Sequence, residues 1–296
     1  MFNIGLKLAF TSRMKRECPN KGCKSKIGSV KFGRFKRKSD SKWVQRYKCQ
    51  ACGKYYSSAT FSAYYKQNKR RINPLVLKLY CSGSSQRRIA KLLNINLKTV
   101  ARKLHFLSIW VKDRQPLFPL TTSQIQFDEM ETSLHTKLKP LSIIVAVEKH
   151  SRFILDINVK EMPAKGLIQA KSLKKYGKLT DNRPQGMKEV FTTLEKELSQ
   201  YIEIESDQNP RYPKIIKKYF PQAKYKRYKG RRGCVVGQGE LKAGGFDPLF
   251  SLNHTCAMIR ANVNRLFRRT WCTTKDLNCL QAHLNLYRYY HNSQLI

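Results

Sequence analysis

A mixed α/β chain is what the sequence predicts, on three observations. Two cysteine pairs near the N-terminus bracket strand-like alternation. A run of short, capped helical segments follows. The second half then opens with three apolar strand-like stretches before helix and strand begin to alternate.

Composition allows such a fold. The 296 residues are 41% hydrophobic and 11% aromatic, enough apolar material for buried cores, and the length suits roughly two domains of about 150 residues. Lys and Arg number 59 against 19 Asp and Glu, a formal charge of +40. Self-repulsion of that size destabilises a compact state unless counter-charge binds, so a polyanionic partner is expected. No stretch approaches the roughly 20 apolar residues of a membrane span, and the apolar run within Met1–Phe10 is too short for a signal peptide. A cytoplasmic, nucleoid-associated protein with no membrane partner is the expectation. The charge is uneven: residues 1–120 hold 29 cations and three acids (Glu17, Asp40, Asp113), net +26, whereas residues 121–296 hold 30 and 16, net +14.

The first pair is Cys18-Pro19-Asn20-Lys21-Gly22-Cys23 and the second Cys49-Gln50-Ala51-Cys52-Gly53-Lys54. Each offers two thiolates on a Gly-containing turn, a bite suited to tetrahedral Zn²⁺, and the stretches between them (Ile27–Gly33 and Trp43–Cys49) alternate like strands. A structural zinc ribbon over 15–60 follows, with Cys18, Cys23, Cys49 and Cys52 as ligands; a disulfide pair is the competing reading, disfavoured in a cytosolic chain. The spacing of the first pair is wider than the commonest knuckle. Cys81, Cys234, Cys256, Cys272 and Cys279 read as buried small apolar residues.

Over 70–112 the pattern is helix, break, helix, turn, helix. Pro74–Cys81 is closed by Ser82-Gly83-Ser84, Ser85 caps a second helix to Leu93, and Asn96 caps a third from about Leu97 to Trp110. Ile89, Ala90, Leu93, Ile95, Val100, Leu104 and Leu107 form an inward stripe, as a helix-turn-helix requires. Lys98, Thr99, Arg102 and Lys103 are expected to face outward toward a DNA major groove, with Arg87 and Arg88 on phosphates. A plain helical hairpin with a solvated basic face is the alternative. The segment Lys112–Leu120, with two prolines, marks a boundary.

Beyond it, strands are expected at Ser123–Met130, Leu141–Glu148, Arg152–Lys160 and Ile202–Asp207. Helices are expected at Gln185–Gln200, Pro210–Phe220 and Phe250–Arg269, with a further strand at Ala223–Tyr228. Three strands, then helix, strand, helix, strand, helix is the order of an RNase H-like α/β domain, here 121–292. Period-two alternation puts Ile125 and Phe127 on one face and Gln126 and Asp128 on the other, while Glu129 falls on the apolar face. The same pattern turns Asp207 away from Ile202 and Ile204. Two aspartates at the ends of neighbouring strands can hold a divalent metal pair about 3.5–4 Å apart for in-line phosphoryl transfer; acids at strand ends are also common turn residues.

In this order, the zinc ribbon, the helix-turn-helix and the Asp…Asp domain resemble the insertion-sequence DDE transposases of the IS-one superfamily. Phe127-Asp128-Glu129-Met130 is similar to the first-acid motif of that group and Glu205–Pro213 to the second. Leu252–Leu266 resembles the third-motif helix and Arg268–Lys275 its extension. The likeness runs from about Cys18 to Asn292. Where many relatives carry a third glutamate, this chain has Asn253, followed by His254; some members are similar in carrying asparagine. Asn offers a carbonyl oxygen to a hard cation without a carboxylate charge, and His254 is either a ligand or proton-transfer group or a satisfied structural histidine. Glu240 and Asp247, in the loop Gly237–Asp247, are lower-ranked alternatives. Arg260, two turns after Asn253, is expected to hold a phosphate.

The resemblance implies Mg²⁺-dependent DNA transposition, with Mn²⁺ able to substitute. Asp128 and Asp207, completed by Asn253 or His254, would cut the element's end to leave a 3′-hydroxyl and then activate that hydroxyl against target DNA. The N-terminal modules would bind terminal inverted repeats, and pairing two ends implies a homo-oligomer on DNA. The alternatives are a DNA-binding regulator derived from a transposase that has lost its chemistry, and an RNase H-like nuclease.

Overall fold

The computed structural model describes residues 18–20, 22–23, 28–38, 41–62, 64–65, 67–116, 122–229, 247–267 and 270–295. Expectations placed on Met1–Phe10, Cys234, Glu240, and on Arg268 and Arg269 lie outside the described residues. The chain divides into two compact units, residues 1–73 and 74–296.

The first unit is a three-stranded antiparallel sheet in the order β1-β2-β3, formed by β1 (Ser29–Lys36), β2 (Trp43–Cys49) and β3 (Tyr55–Ser57). Its ladder pairs Ser29 with Cys49 and Lys48 with Tyr55, with an irregularity between Lys31 and Arg34. Tyr47 and Tyr56, directly opposite one another, stack at 5.6 Å, and Phe61 meets Tyr56 edge-on at 5.5 Å. These rings give so small a sheet its apolar side.

From the boundary onward come α1 (Asn73–Tyr80), α2 (Gln86–Leu92) and α3 (Leu97–Lys112). Both sequence-predicted caps are present: Ser85 Oγ accepts from the Arg88 amide at 3.2 Å and Asn96 Oδ1 from the Lys98 amide at 2.8 Å. Ile89, Val100, Leu104 and Leu107 are buried as their spacing requires.

The five-stranded sheet follows. Its strands are β4 (Gln124–Ser133), β5 (Pro140–Glu148), β6 (Ile154–Glu161), β7 (Glu203–Asp207) and β8 (Lys224–Tyr228), in the order β6-β5-β4-β7-β8. β5 runs antiparallel to both β4 and β6, whereas β4, β7 and β8 are parallel. The helices are α4 (Gln169–Tyr176), α5 (Arg183–Glu197), α6 (Tyr212–Tyr219), α7 (Phe250–Asn262) and α8 (Leu277–Asn292). The fold is therefore mixed α/β.

One face of the sheet carries the main core: Ile125 and Phe127 of β4 and Ile204 of β7 pack with Val190 and Phe191 of α5 and Tyr212 and Ile216 of α6. Gly186 lets α5 settle there, since a Cβ at that position would lie 2.6 Å from the Lys160 side chain and 2.7 Å from that of Ile144. α7 packs on β4 and β5, and α8 on β6 and α3. The first helices are tied into the same unit, because the Gly83 amide donates to the Asn262 carbonyl at 2.7 Å and His283 Nε2 meets the Tyr80 carbonyl at 2.8 Å.

The helix expected at Phe250–Arg269 is shorter than its sequence pattern suggested. α7 ends at Asn262 because Val263 takes extended backbone (φ −94°, ψ 100°), and a 3₁₀ turn, Asn264–Leu266, continues the chain. The buried stripe of Leu252, Cys256, Ile259, Val263 and Leu266 nonetheless holds across the break. Cys81 and Cys256 are buried as expected, whereas Cys272 and Cys279 are half-buried. Among the described residues, no helix is long and apolar enough to cross a membrane.

Candidate metal centre and candidate active site

In the first unit the four predicted cysteines converge. The thiol sulfurs of Cys18, Cys23, Cys49 and Cys52 all lie within 4.8 Å of one another, with Cys18–Cys52 at 3.5 Å and Cys23–Cys49 at 3.8 Å. A tetrahedral ion with metal–sulfur bonds of about 2.3 Å needs sulfur–sulfur separations of about 3.8 Å. A disulfide needs about 2.05 Å. The donor set thus fits one tetrahedral metal such as zinc and not two disulfides.

The second knuckle is built by backbone geometry. The Gly53 amide donates to the Cys49 carbonyl at 3.0 Å, and Gly53 sits at φ +65°, where a side chain would be strained. The Lys54 amide, more than any other group, draws the Cys52 thiol down to about 6, toward the thiolate a metal requires.

In the second unit the register of two parallel strands assembles the acids. β4 and β7 pair Gln124 with Glu203, Ile125 with Ile204 and Gln126 with Glu205. Asp128 and Asp207 each stand two residues beyond the last of these rungs, on the side chains' common face. Burial first, and the neighbouring Asp207 charge second, push the Asp128 carboxyl up to about 6. Its Oδ1 accepts from the Glu129 amide at 2.6 Å and from the Tyr212 hydroxyl at 3.0 Å. Asp207 Oδ1 accepts from the Asn209 amide at 3.0 Å. Glu129 faces away, taking hydrogen bonds from Ser142 at 3.0 Å and Arg211 at 3.5 Å.

The remaining predicted site residues lie on α7, which packs on β4 and β5. Asn253, exposed on α7, donates from Nδ2 to Asp247 Oδ2 at 2.9 Å, so the loop acid and the helix asparagine are side by side. His254 lies against Arg152 in the β5–β6 turn, with Nδ1 3.2 Å from the guanidinium, and against the Phe250 ring at 5.6 Å. Burial above all, with Asp128 next, pushes the Cys256 thiol up to about 12, and Arg260 acts on the same thiol in the opposite sense.

Arg87, Arg88, Lys98 and Arg102 are exposed and Thr99 is half-buried. Lys103 departs from the expectation. It is 3% exposed, on the inner side of α3, and burial draws its ammonium down to about 8. Lys103 follows Arg102 by about 100° on the helix, enough to carry it from the solvent side into the packed side.

Sequence reasoning passed over Tyr212, which holds Asp128, and Arg211, which lines a recess of about 590 Å³ beside Asp207 together with Lys165 and Arg183. The run Asn209-Pro210-Arg211-Tyr212-Pro213 was the available signal: the chain turns there from β7 into α6, which points its first side chains back over the strand ends. No protein-family model matches the chain, and no curated protein matches its sequence.

Proposed function

We propose that this chain is a DNA transposase: its larger unit an RNase H-like polynucleotidyl transferase, its three helices a helix-turn-helix, its first unit a zinc ribbon that with those helices grips inverted-repeat ends. The observation that carries the reading is the register of β4 and β7, which sets Asp128 beside Asp207 in a chain of net charge +40. The strand order β6-β5-β4-β7-β8, with a single antiparallel central partner and α7 laid across the acid-bearing face, supports the RNase H-like assignment.

The donor set suits a hard divalent cation, since two adjacent carboxylates, one of them burdened by the other's charge, gain most from a positive neighbour. Mg²⁺, held by Asp128 and Asp207, would supply Lewis acidity toward a phosphodiester and lower the pKa of an attacking hydroxyl. The chain's own groups do the positioning. Tyr212 and the Glu129 amide fix the Asp128 carboxylate, the Asn209 amide fixes Asp207, and Gln126 pins the start of α7 through the Leu252 amide at 3.1 Å. Asn253 holds Asp247 by a hydrogen bond at 2.9 Å, so a carboxylate accompanies a helix that has none of its own.

The test is strand cleavage of a duplex ending in the element's inverted repeat, with Mg²⁺ or Mn²⁺. Wild type nicks at the repeat boundary, Asp128→Ala binds the end and does not nick, and a scrambled repeat is not cut. End-specific binding with no metal-dependent nicking by the wild type would instead establish a DNA-binding regulator. Nicking indifferent to the repeat would establish a nuclease.

A further inference from the structure

One face of the first unit's sheet is unlike the other. Across the central strand β2, Phe32 of β1 and Tyr55 of β3 bring their rings to 4.9 Å, tilted at 50°. Lys48 of β2 brings its ammonium alongside both, 6.0 Å from the Phe32 centroid and 5.7 Å from that of Tyr55. Two residues along β2, hence on the same face, Arg46 sits over Phe35 at 5.4 Å. The two aromatic–cation groups are thus one side-chain repeat apart, about 6.8 Å at 3.4 Å per residue.

The rings stay in reach of solvent, Phe32 at 45% and Tyr55 at 50% exposure. The tightly stacked Tyr47–Tyr56 pair of the sheet lies on the opposite face. Between residues 28 and 57 the chain carries nine Lys and Arg and a single acid, Asp40, so a protein partner would have to be strongly acidic and a phosphate backbone is complementary without further conditions.

We propose that this face binds single-stranded DNA, stacking unpaired bases on Phe32 and Tyr55 while Lys48 and Arg46 follow the backbone. Half-exposed ring faces on a sheet have nothing to stack on in a duplex, whose base faces are already covered; they engage only bases that have left the stack. Cations beside the rings add attraction for phosphate and hold the rings in place. The naming of DNA rests on the transposase reading; the stacking face does not involve the acid pair.

The test is fluorescence anisotropy with a labelled 15-mer of deoxythymidine, a 15-base-pair duplex and a 15-mer of uridine, on the zinc-loaded full-length protein without Mg²⁺, so that strand cleavage plays no part. Phe32→Leu/Tyr55→Leu keeps apolar bulk and removes both rings; it weakens deoxythymidine binding at least tenfold and duplex binding less than twofold. Phe32→Trp/Tyr55→Trp restores single-strand affinity, which separates stacking from a folding defect, and both variants keep one zinc per chain. Equal losses on single strand and duplex, or wild-type binding by the leucine variant, overturn the proposal. Tighter binding of uridine than of deoxythymidine overturns the assignment to DNA.

Discussion

Gln126 donates to Glu205 at 2.7 Å across two parallel strands, and the same side chain also reaches α7, donating to the Pro248 carbonyl at 2.7 Å and accepting from the Leu252 amide. Glu205 is fully buried and is further held by Lys149 at 2.6 Å and Tyr228 at 3.1 Å. One carboxamide therefore joins the acid-bearing strands to the helix that covers them. Gln126→Leu leaves a buried carboxylate short of a donor and two main-chain groups unpaired, costing about 2–4 kcal/mol. Thermal melts should show a midpoint lower by roughly 5–15 °C. An unchanged midpoint would show that the contact carries no such weight.

The raised Asp128 carboxyl makes metal-free stability depend on pH. Its ordinary value is 3.8 and its folded value about 6, so between those values the folded state binds a proton that the unfolded chain does not. Stability therefore falls as pH rises from about 4 to 6. Asp128→Asn removes that dependence while its Oδ1 still accepts from Glu129 and Tyr212. The variant should exceed wild type by about 1–3 kcal/mol at pH 7 and match it below pH 4. Melts of chelator-treated protein across that range read the difference, and Mg²⁺ at pH 7 should raise the wild type alone. Parallel pH profiles for the two proteins would contradict the shared-charge account.

The cysteine cluster predicts one zinc per chain. A strong chelator should release it and unfold the first unit, whose three strands hold too little apolar surface to persist alone. Cys49→Ser should bind less than a tenth of an equivalent while the larger unit melts within about 1 °C of wild type. Metal analysis paired with calorimetry checks both, and a wild type free of metal would refute the centre.

Lys103 and Arg102 are neighbours with opposite prospects. Lys103→Met changes a side chain turned into the packed side of α3, so duplex affinity should stay within twofold of wild type. Arg102→Ala should lower duplex affinity several-fold and flatten its salt dependence by about one counter-ion. Equal effects of the two on DNA binding would place both on the same face.

What could be read from the sequence was what local periodicity encodes. Alternation separated Asp128 from Phe127, cap residues Ser85 and Asn96 placed two helix starts, and the cysteine spacings brought four sulfurs together. Features set by three-dimensional packing could not be read that way. Lys103 lies next in sequence to an exposed arginine, and only the packed face of α3 shows where it points. α4 was not anticipated, because Gln169–Tyr176 is polar apart from a few positions and borrows its helix from a neighbouring 3₁₀ turn. The partners of Asn253 and His254, Asp247 and Arg152, come from a loop and a hairpin turn that no spacing rule connects to α7.

The pairing of β4 with β7 also fixes an order of events. β4, β5 and β6 follow one another directly and zip by local hairpins, but the rung joining Gln126 to Glu205 closes across 79 residues, a contact that forms slowly because the intervening chain must first be ordered. As the polypeptide is made, its most basic 120 residues emerge well before Asp207 does. A nascent or half-folded molecule thus carries its positive charge long before it owns a pair of acids.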